Sequence, residues 1–121
     1  MDKQTLIEYC LTKQGAYIDF PFAGDNYATI KIKNEKTGRY KIFAEIFELK
    51  GENMLTFSTD SELAILLRNQ YPDMIIKGYH CPSVQAKYKS SAYLKFFESS
   101  LIKQFVDTSY EIAKEKLKIK D

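Results

Sequence analysis

The sequence predicts an α+β fold, a single domain in which an antiparallel sheet carries helices packed on one face. Two observations lead to this class. Apolar residues repeat at helical spacing near both ends of the chain and once in its middle, whereas the segments between them alternate apolar and polar residues and are joined by short turns. Hairpin-joined strands with helices before and after them are typical of α+β domains. The predicted order is α-β-β-β-α-β-β-α over residues 1–121, a length sufficient for one buried core.

The first helix is predicted to begin after Asp2, a common N-cap residue type, and to end before Gly15. Its apolar stripe has helical spacing and comprises Leu6, Ile7, Cys10 and Leu11. That position predicts that Cys10 is a small, buried apolar residue. The stretch GAYIDFPFAGDN at 15–26 is predicted to be a loop, in which Gly15, Pro21 and Phe22 serve as turn and core residues.

Three strands follow as an antiparallel meander. In YATIKIK (27–33) one face has only apolar residues and the other carries Thr29, Lys31 and Lys33, which is the pattern of a half-buried strand. The turn NEKTG leads into RYKIFAEIFEL (39–49), and KGEN leads into MLTFS (54–58).

Two helices and two short strands complete the chain. Thr59 and Glu62 fit a capping box for a helix that ends before Pro72, with the apolar stripe Leu63, Leu66, Leu67 and Tyr71. MIIKGYH (74–80) and KYKSSAYLKF (87–96) are predicted strands. The last helix is predicted to be capped by Ser99 or Ser100, and one face of it is formed by Ile102, Phe105, Val106, Ser109, Ile112, Ala113 and Leu117.

Composition indicates a folded protein but no specific partner. Apolar residues make up 45% of the chain and the formal net charge is +2, which neither favours nor excludes a polyanion. Two cysteines far apart predict neither a zinc site nor a disulfide framework. The first residues lack the layout of a signal peptide and no apolar run approaches membrane length, so we expect a cytoplasmic protein without membrane contact, and a monomer by default.

The basic residues are unevenly distributed, and two segments are candidate nucleic-acid contacts. In KIKNEKTGRYK (31–41), Lys31 and Lys33 share the solvent face of a strand while Lys36 and Arg39 lie at or beside the turn. Such a projecting hairpin can follow DNA phosphates. The alternative is a solvated strand face whose lysines protect the sheet edge.

The second segment is IKGYHCPSVQAKYKSSAYLKF (76–96), which has no acidic residue. Lys77, Lys87 and Lys89 can neutralise phosphates and Tyr88 can stack on an unpaired base. Alternating Lys-Tyr-Lys is also the pattern of a half-buried strand with its tyrosine pointing inward. His80 is either a phosphate or base contact or a structural residue hydrogen-bonded at a strand end.

No catalytic or metal site is predicted. Adjacent strand residues point to opposite faces, so His80 and Cys81 are poorly placed as base and nucleophile. A single histidine without acids nearby lacks metal ligands, and the five glycines are scattered over turns. Four carboxylates also lack a recognisable acid/base spacing: Asp19, Asp25, Glu45 and Glu48. We therefore expect no enzyme, no metal and no cofactor.

Three stretches, taken in order, resemble the MmcQ/YjbR family: LIEYCLTKQGAYIDFPF, LRNQYPDMIIKGYH and SYEIAKEKL. The resemblance implies a CyaY-like fold, described as a double-wing DNA-binding arrangement, in a bacterial cytoplasmic protein. Lys77 departs from the family's usual proline before Gly-Tyr-His, Cys81-Pro82 replaces its Met-Asn, and the basic strand's tryptophan is absent, with Tyr88 as a substitute. Frataxin-like folds bind iron through an acidic first helix, and here that helix has only Asp2 and Glu8.

Two hypotheses remain open. The first is a non-catalytic DNA-binding protein that uses two basic β-hairpins as wings. The second is a protein- or small-ligand-binding module, in which tyrosines and phenylalanines line a groove and the lysines only confer solubility. They differ in whether the two basic segments converge on one face of the domain.

Overall fold

The structure is a computed structural model that describes residues 1–20 and 26–120. Its elements are α1 (Lys3–Leu11), β1 (Tyr17–Asp19), β2 (Ala28–Lys33), β3 (Tyr40–Leu49), β4 (Glu52–Ser58), α2 (Ser61–Gln70), β5 (Ile75–Lys77), β6 (Lys89–Tyr93) and α3 (Ser99–Leu117). Short 3₁₀ helices lie on either side of β6, at Gln85–Lys87 and Leu94–Phe96. The predictions for Pro21 and Phe22 fall outside the described residues.

The strands form one antiparallel sheet in the order β1-β2-β3-β4-β6-β5, which confirms the predicted fold class and the β2-β3-β4 meander. The loop prediction for 15–26 is wrong at β1, where Ile18 pairs with Ile30 of β2. A strand of three residues is too short to show an alternation of its own. It forms because β2 offers an unpaired edge.

The three helices cover one face of the sheet. Leu6 and Cys10 of α1 and Ile102 and Val106 of α3 are fully buried against the apolar face of the strands. Tyr71, just after α2, packs edge-on against a phenylalanine of the same core. None of the helices within the described ranges combines the length and apolarity needed to cross a membrane.

The helix starts differ from the predicted caps in two of three cases. Asp2 caps α1 as predicted, with its carboxylate accepting from the Thr5 N–H at 2.7 Å. The capping box at Thr59 is wrong, because Asp60 is the N-cap of α2 and accepts from the Leu63 N–H at 2.8 Å. Two adjacent capping residue types compete here, and the hydroxyl of Thr59 donates to the Asp60 carbonyl instead.

The remaining helix predictions also need correction. The predicted serine cap of α3 is wrong, since Glu98 occupies that position without a side-chain hydrogen bond. In α3, Tyr110 is buried, while Ile112 is only half-buried. In α2, Leu66 is 58% exposed and Ala64 is buried in its place, because the short helix presents only a narrow stripe to the sheet.

A β-bulge in β3 lets α3 insert a hydroxyl between two strands. The β2–β3 register shifts at Phe43, which has no partner of its own in β2. The Ser109 hydroxyl of α3 donates to the Phe43 carbonyl at 2.6 Å and accepts from the Ser58 N–H at 2.9 Å. Ser109 is 1% exposed. It bridges β3 and β4 just beyond the pairing of Glu45 with Thr56, where the ladder between these strands begins.

The face of the sheet opposite the helices carries a stack of aromatic rings. Tyr27 and Tyr79 lie against Phe47, with ring centroids 4.8 and 5.4 Å away. The Tyr27 hydroxyl donates to the Glu45 carboxylate at 2.5 Å. Among the described residues, no buried side-chain nitrogen or oxygen lacks a hydrogen-bond partner.

Candidate anion-binding end of the sheet

The two basic segments meet at one end of the sheet. Because every strand pair is antiparallel, the last residues of β2, β4 and β5 lie at the same end as the first residues of β3 and β6. The register places Lys33 opposite Tyr40 and Ser58 opposite Lys89, with Lys77 on the outer strand at the same level. The hairpin β2–β3 and the connection between β5 and β6 therefore approach the same region.

The C-terminal end of α3 joins them. The Asn34 side-chain amide donates to the Leu117 carbonyl at 2.8 Å, while its carboxamide oxygen accepts from the Lys36 N–H at 2.9 Å. One side chain thus orders the β2–β3 turn and caps the helix. Lys118 then takes a left-handed conformation with φ 56°, and its neighbour Ile119 donates back to the Lys114 carbonyl, which closes the helix end.

Nine lysines line four separate depressions around this helix end, and we call this set the basic end: Lys33, Lys36, Lys41, Lys87, Lys89, Lys114, Lys116, Lys118 and Lys120. The carboxylates lining the same depressions, among residues 1–20 and 26–120, are Glu35, Asp60 and Glu115. The lysines partly offset the negative end of the helix dipole. Their number leaves a large excess of positive charge, which suits an anionic partner.

A cavity of about 270 Å³ lies inside the basic end, between β3, β4, α3 and the 85–89 segment. Lys41, Lys89 and Lys116 line it, together with Tyr40 and Tyr88. The Lys116 ammonium lies over the Tyr88 ring, 4.2 Å from its centroid. Lys89 is 3.9 Å from Glu45, whereas Lys41 and Lys116 form no ion pair with any carboxylate of the described chain.

The pKa of Lys116 reflects its burial and the charges around the cavity. Partial burial lowers the pKa of the Lys116 ammonium, and the positive charges of Lys41 and Lys89 lower it further. The three ammonium groups therefore repel one another across the cavity. A bound anion would offset that repulsion.

Arg68 of α2 fixes residues 85–89, the segment that carries Tyr88 and Lys89. Its guanidinium donates to the Ala86 carbonyl at 2.5 Å, to the Lys89 carbonyl and to the Ser90 hydroxyl. Burial lowers the pKa of Arg68, although a guanidinium stays protonated in proteins. The segment is further held by Gly78, whose N–H donates to the Lys89 carbonyl at 3.0 Å.

Not all predicted contact residues join the basic end. Lys33, Lys36, Lys87, Tyr88 and Lys89 line its depressions. Arg39 lies in the same turn as Lys36, where its carbonyl accepts from the Asn34 N–H. Lys31, by contrast, forms an ion pair with Asp19 at 3.0 Å, and its side chain is only 14% exposed. Its charge is therefore already paired within the protein. Lys77 ends β5 on the outer strand and lines none of the described depressions.

His80 and Cys81 lie in a turn after β5 rather than within a strand. His80 has a positive φ of 57°, and its exposed ring lies 4.0 Å from that of Tyr79, over the face opposite the helices. The predicted hydrogen bond to His80 is absent among the described residues. The Cys81 thiol donates to the Gly78 carbonyl at 3.0 Å. Tyr88 follows a 3₁₀ helix instead of sitting inside a strand.

Sequence reasoning missed the contribution of α3. Its last residues, KEKLKIK, place four lysines within seven positions, and this density was the available signal. Helical periodicity identifies the apolar face of α3 but does not show what these lysines lie beside. Only the hydrogen bond between Asn34 and Leu117 shows that this end of α3 adjoins the basic hairpin.

Comparisons with known proteins agree with this fold. The family model described as YjbR matches residues 11–112. The crystal structure of the Deinococcus radiodurans protein DR2400 is 20% identical, covers 98% of this chain and 88% of that one, and has a TM-score of 0.76. A Pseudomonas syringae protein is 18% identical, with coverages of 93% and 99% and a TM-score of 0.75. Likeness at these identities shows the fold alone, and no curated protein matches the sequence.

Proposed function

This chain belongs to the YjbR family, and from that premise we propose that it is a non-catalytic, cytoplasmic DNA-binding protein whose basic end holds the phosphate backbone. The observation that carries the proposal is the convergence of the β2–β3 hairpin, the 85–89 segment and the end of α3. Phosphate contacts from lysines supply most of the affinity of sequence-independent binding. Dispersed basic segments on opposite sides would have supported the alternative module instead.

Four lysines of the basic end are available to a partner. Lys33, Lys36, Lys118 and Lys120 make no ion pair with a carboxylate within the described ranges. Their counterions can be released when phosphates replace them, which is the source of electrostatic affinity for DNA. The Asn34 bridge holds hairpin and helix together, so that these charges meet the backbone as one surface.

Fluorescence anisotropy with a labelled duplex and a labelled single strand tests the proposal. The logarithm of the affinity should fall linearly with the logarithm of salt concentration between about 50 and 200 mM. Charge reversal at Lys33 and Arg39 should weaken binding to all sequences alike and reduce the slope by about one unit for each phosphate that is no longer neutralised. Neither side chain reads bases, so sequence preference should stay the same.

A matched pair of single variants separates the basic end from general charge. Lys36→Glu and Lys50→Glu each reverse one exposed lysine in a turn between strands, at opposite ends of the sheet. Only Lys36→Glu should weaken binding. Equal effects, or no affinity of the unmodified protein for either nucleic acid at low salt, would overturn the DNA proposal in favour of a protein- or small-ligand-binding module.

A further inference from the structure

We propose that the cavity lined by Lys41, Lys89 and Lys116 is a receptor for a phosphate monoester carried by a small ligand. The cavity lies within the basic end, but this proposal concerns a ligand held inside it and does not depend on DNA binding. It is defined by its half-open shape, by the three lysines that line it and by Tyr88, over whose ring the Lys116 ammonium lies.

The charge of the cavity favours a dianion. Three lysines face the same space, and the nearest described carboxylate, Glu45, lies 3.9 Å from only one of them. A phosphate monoester carries between about −1.5 and −2 charges at neutral pH, because its second pKa is about 6. A phosphate diester, the unit of a nucleic-acid backbone, carries one charge and would leave more of the lysine repulsion in place.

The size of the cavity favours a small ligand. Its volume of about 270 Å³ is just below the range of roughly 300–1,000 Å³ found for pockets of drug-sized ligands. The phosphates of a duplex lie along a broad convex surface and do not enter such a recess. Tyr88, which lines the cavity, can contact an apolar or aromatic group beside the phosphate.

The cavity is also built on fixed elements. Its floor includes Ser58 and Ser109, which are hydrogen-bonded to each other where α3 inserts between β3 and β4. One wall is held by the guanidinium of Arg68, which binds the backbone carbonyls of the 85–89 segment. Binding there therefore requires little ordering of the chain, and such preorganisation favours affinity for a small molecule.

The test is an NMR titration of the ¹⁵N-labelled protein with phenyl phosphate, a monoester, and with methyl phenyl phosphate, a diester. Phenyl phosphate should shift the amide signals of residues 85–89 and of the last turns of α3. The diester should bind at least about tenfold more weakly, since it forms fewer charge-assisted hydrogen bonds. Affinity for phenyl phosphate should also fall as the pH rises through the lowered pKa of Lys116.

Variants localise the site. Lys116→Met should weaken phenyl phosphate binding about tenfold, and Lys41→Met provides a second variant if the first does not fold. Lys103→Met is the matched control, because this lysine of α3 also lies over a tyrosine ring, 5.2 Å from the centroid of Tyr9 in α1, but does not line the cavity.

The proposal is overturned if phenyl phosphate does not bind, if the diester binds as well, or if Lys103→Met weakens binding as much as the cavity variants do. Failure of duplex binding in the anisotropy experiment would leave the monoester site standing, because the phenyl phosphate titration contains no nucleic acid. Conversely, duplex binding without monoester binding would support the proposed function and reject this site.

Discussion

Ser109→Ala tests how the bulge in β3 is stabilised. The substitution removes one hydroxyl from the middle of α3 and changes little else, since alanine fits wherever serine does. It takes the hydrogen-bond partner away from the Phe43 carbonyl and from the Ser58 N–H, which the hydroxyl contacts at 2.6 and 2.9 Å. Ser109 is 1% exposed, so bulk solvent does not contact its hydroxyl in the folded protein, although the residue lines the cavity beside α3.

The expected destabilisation follows from these two hydrogen bonds. A buried donor or acceptor left without a partner costs about 1–3 kcal/mol, and the carbonyl of Phe43 costs less than the N–H of Ser58 because oxygen has a second lone pair. The higher helix propensity of alanine offsets up to about 0.5 kcal/mol of this loss in stability. We expect the free energy of unfolding to fall by roughly 2–4 kcal/mol, a large part of the 5–15 kcal/mol typical of a domain.

Urea unfolding followed by circular dichroism measures the change. The midpoint should shift while the dependence on urea concentration stays the same, because the folded state remains equally compact. Ser100→Ala, at an exposed position in the first turn of α3, is the control and should change stability by less than about 0.5 kcal/mol. A decrease below about 1 kcal/mol for Ser109→Ala would show that β3 and β4 pair directly once the hydroxyl is gone, and would refute the reasoning.

Three further predictions concern side chains elsewhere. Arg68→Met should lower the free energy of unfolding by about 3 kcal/mol, because it removes three charge-assisted hydrogen bonds; an unchanged urea midpoint would contradict this. Partial burial acts to raise the pKa of Asp107, but hydrogen bonds from Lys13 and Tyr9 hold it below its ordinary value. The stabilisation from this carboxylate is present above its pKa in the unfolded chain and is lost as the pH falls through its pKa in the folded protein. Asp107→Asn should therefore make the free energy of unfolding fall less steeply with pH below about pH 5. An unaltered acid-unfolding profile would contradict this. Burial raises the pKa of the Cys10 thiol to about 12, so a thiol reagent should not modify it in a native variant lacking the other cysteine; rapid labelling would contradict its burial.

Local chemistry made much of the fold predictable. The β2–β3 hairpin follows from the alternation around Ile30 and Ile32 and from a turn whose Gly38 needs a positive φ of 75°. The predictions that were wrong concerned features that depend on contacts distant in sequence or on competition between neighbouring residues. The strand β1 exists only through its pairing with β2, and the cap of α2 was decided between Thr59 and Asp60 by which carboxylate or hydroxyl reached the third helical N–H.

The candidate site was predictable only in part for the same reason. Charge density along the chain pointed to Lys33, Lys36, Lys87 and Lys89, but no local pattern could place Lys116 beside them. That proximity requires the sheet register, the bulge and the long helix together. The family resemblance supplied the fold but not the cavity, which depends on side chains that other members need not share.

The uneven distribution of charge also makes the protein a pronounced electric dipole. The basic end carries six positive charges in excess among its described lining residues, and since the whole chain carries only +2, the remainder is net negative. Near its isoelectric point the molecule would still turn the positive charges of the basic end toward a cation-exchange resin and be retained. Net charge is therefore a poor guide to its chromatography. A polyanion approaching in dilute buffer would orient the molecule before the two surfaces touch.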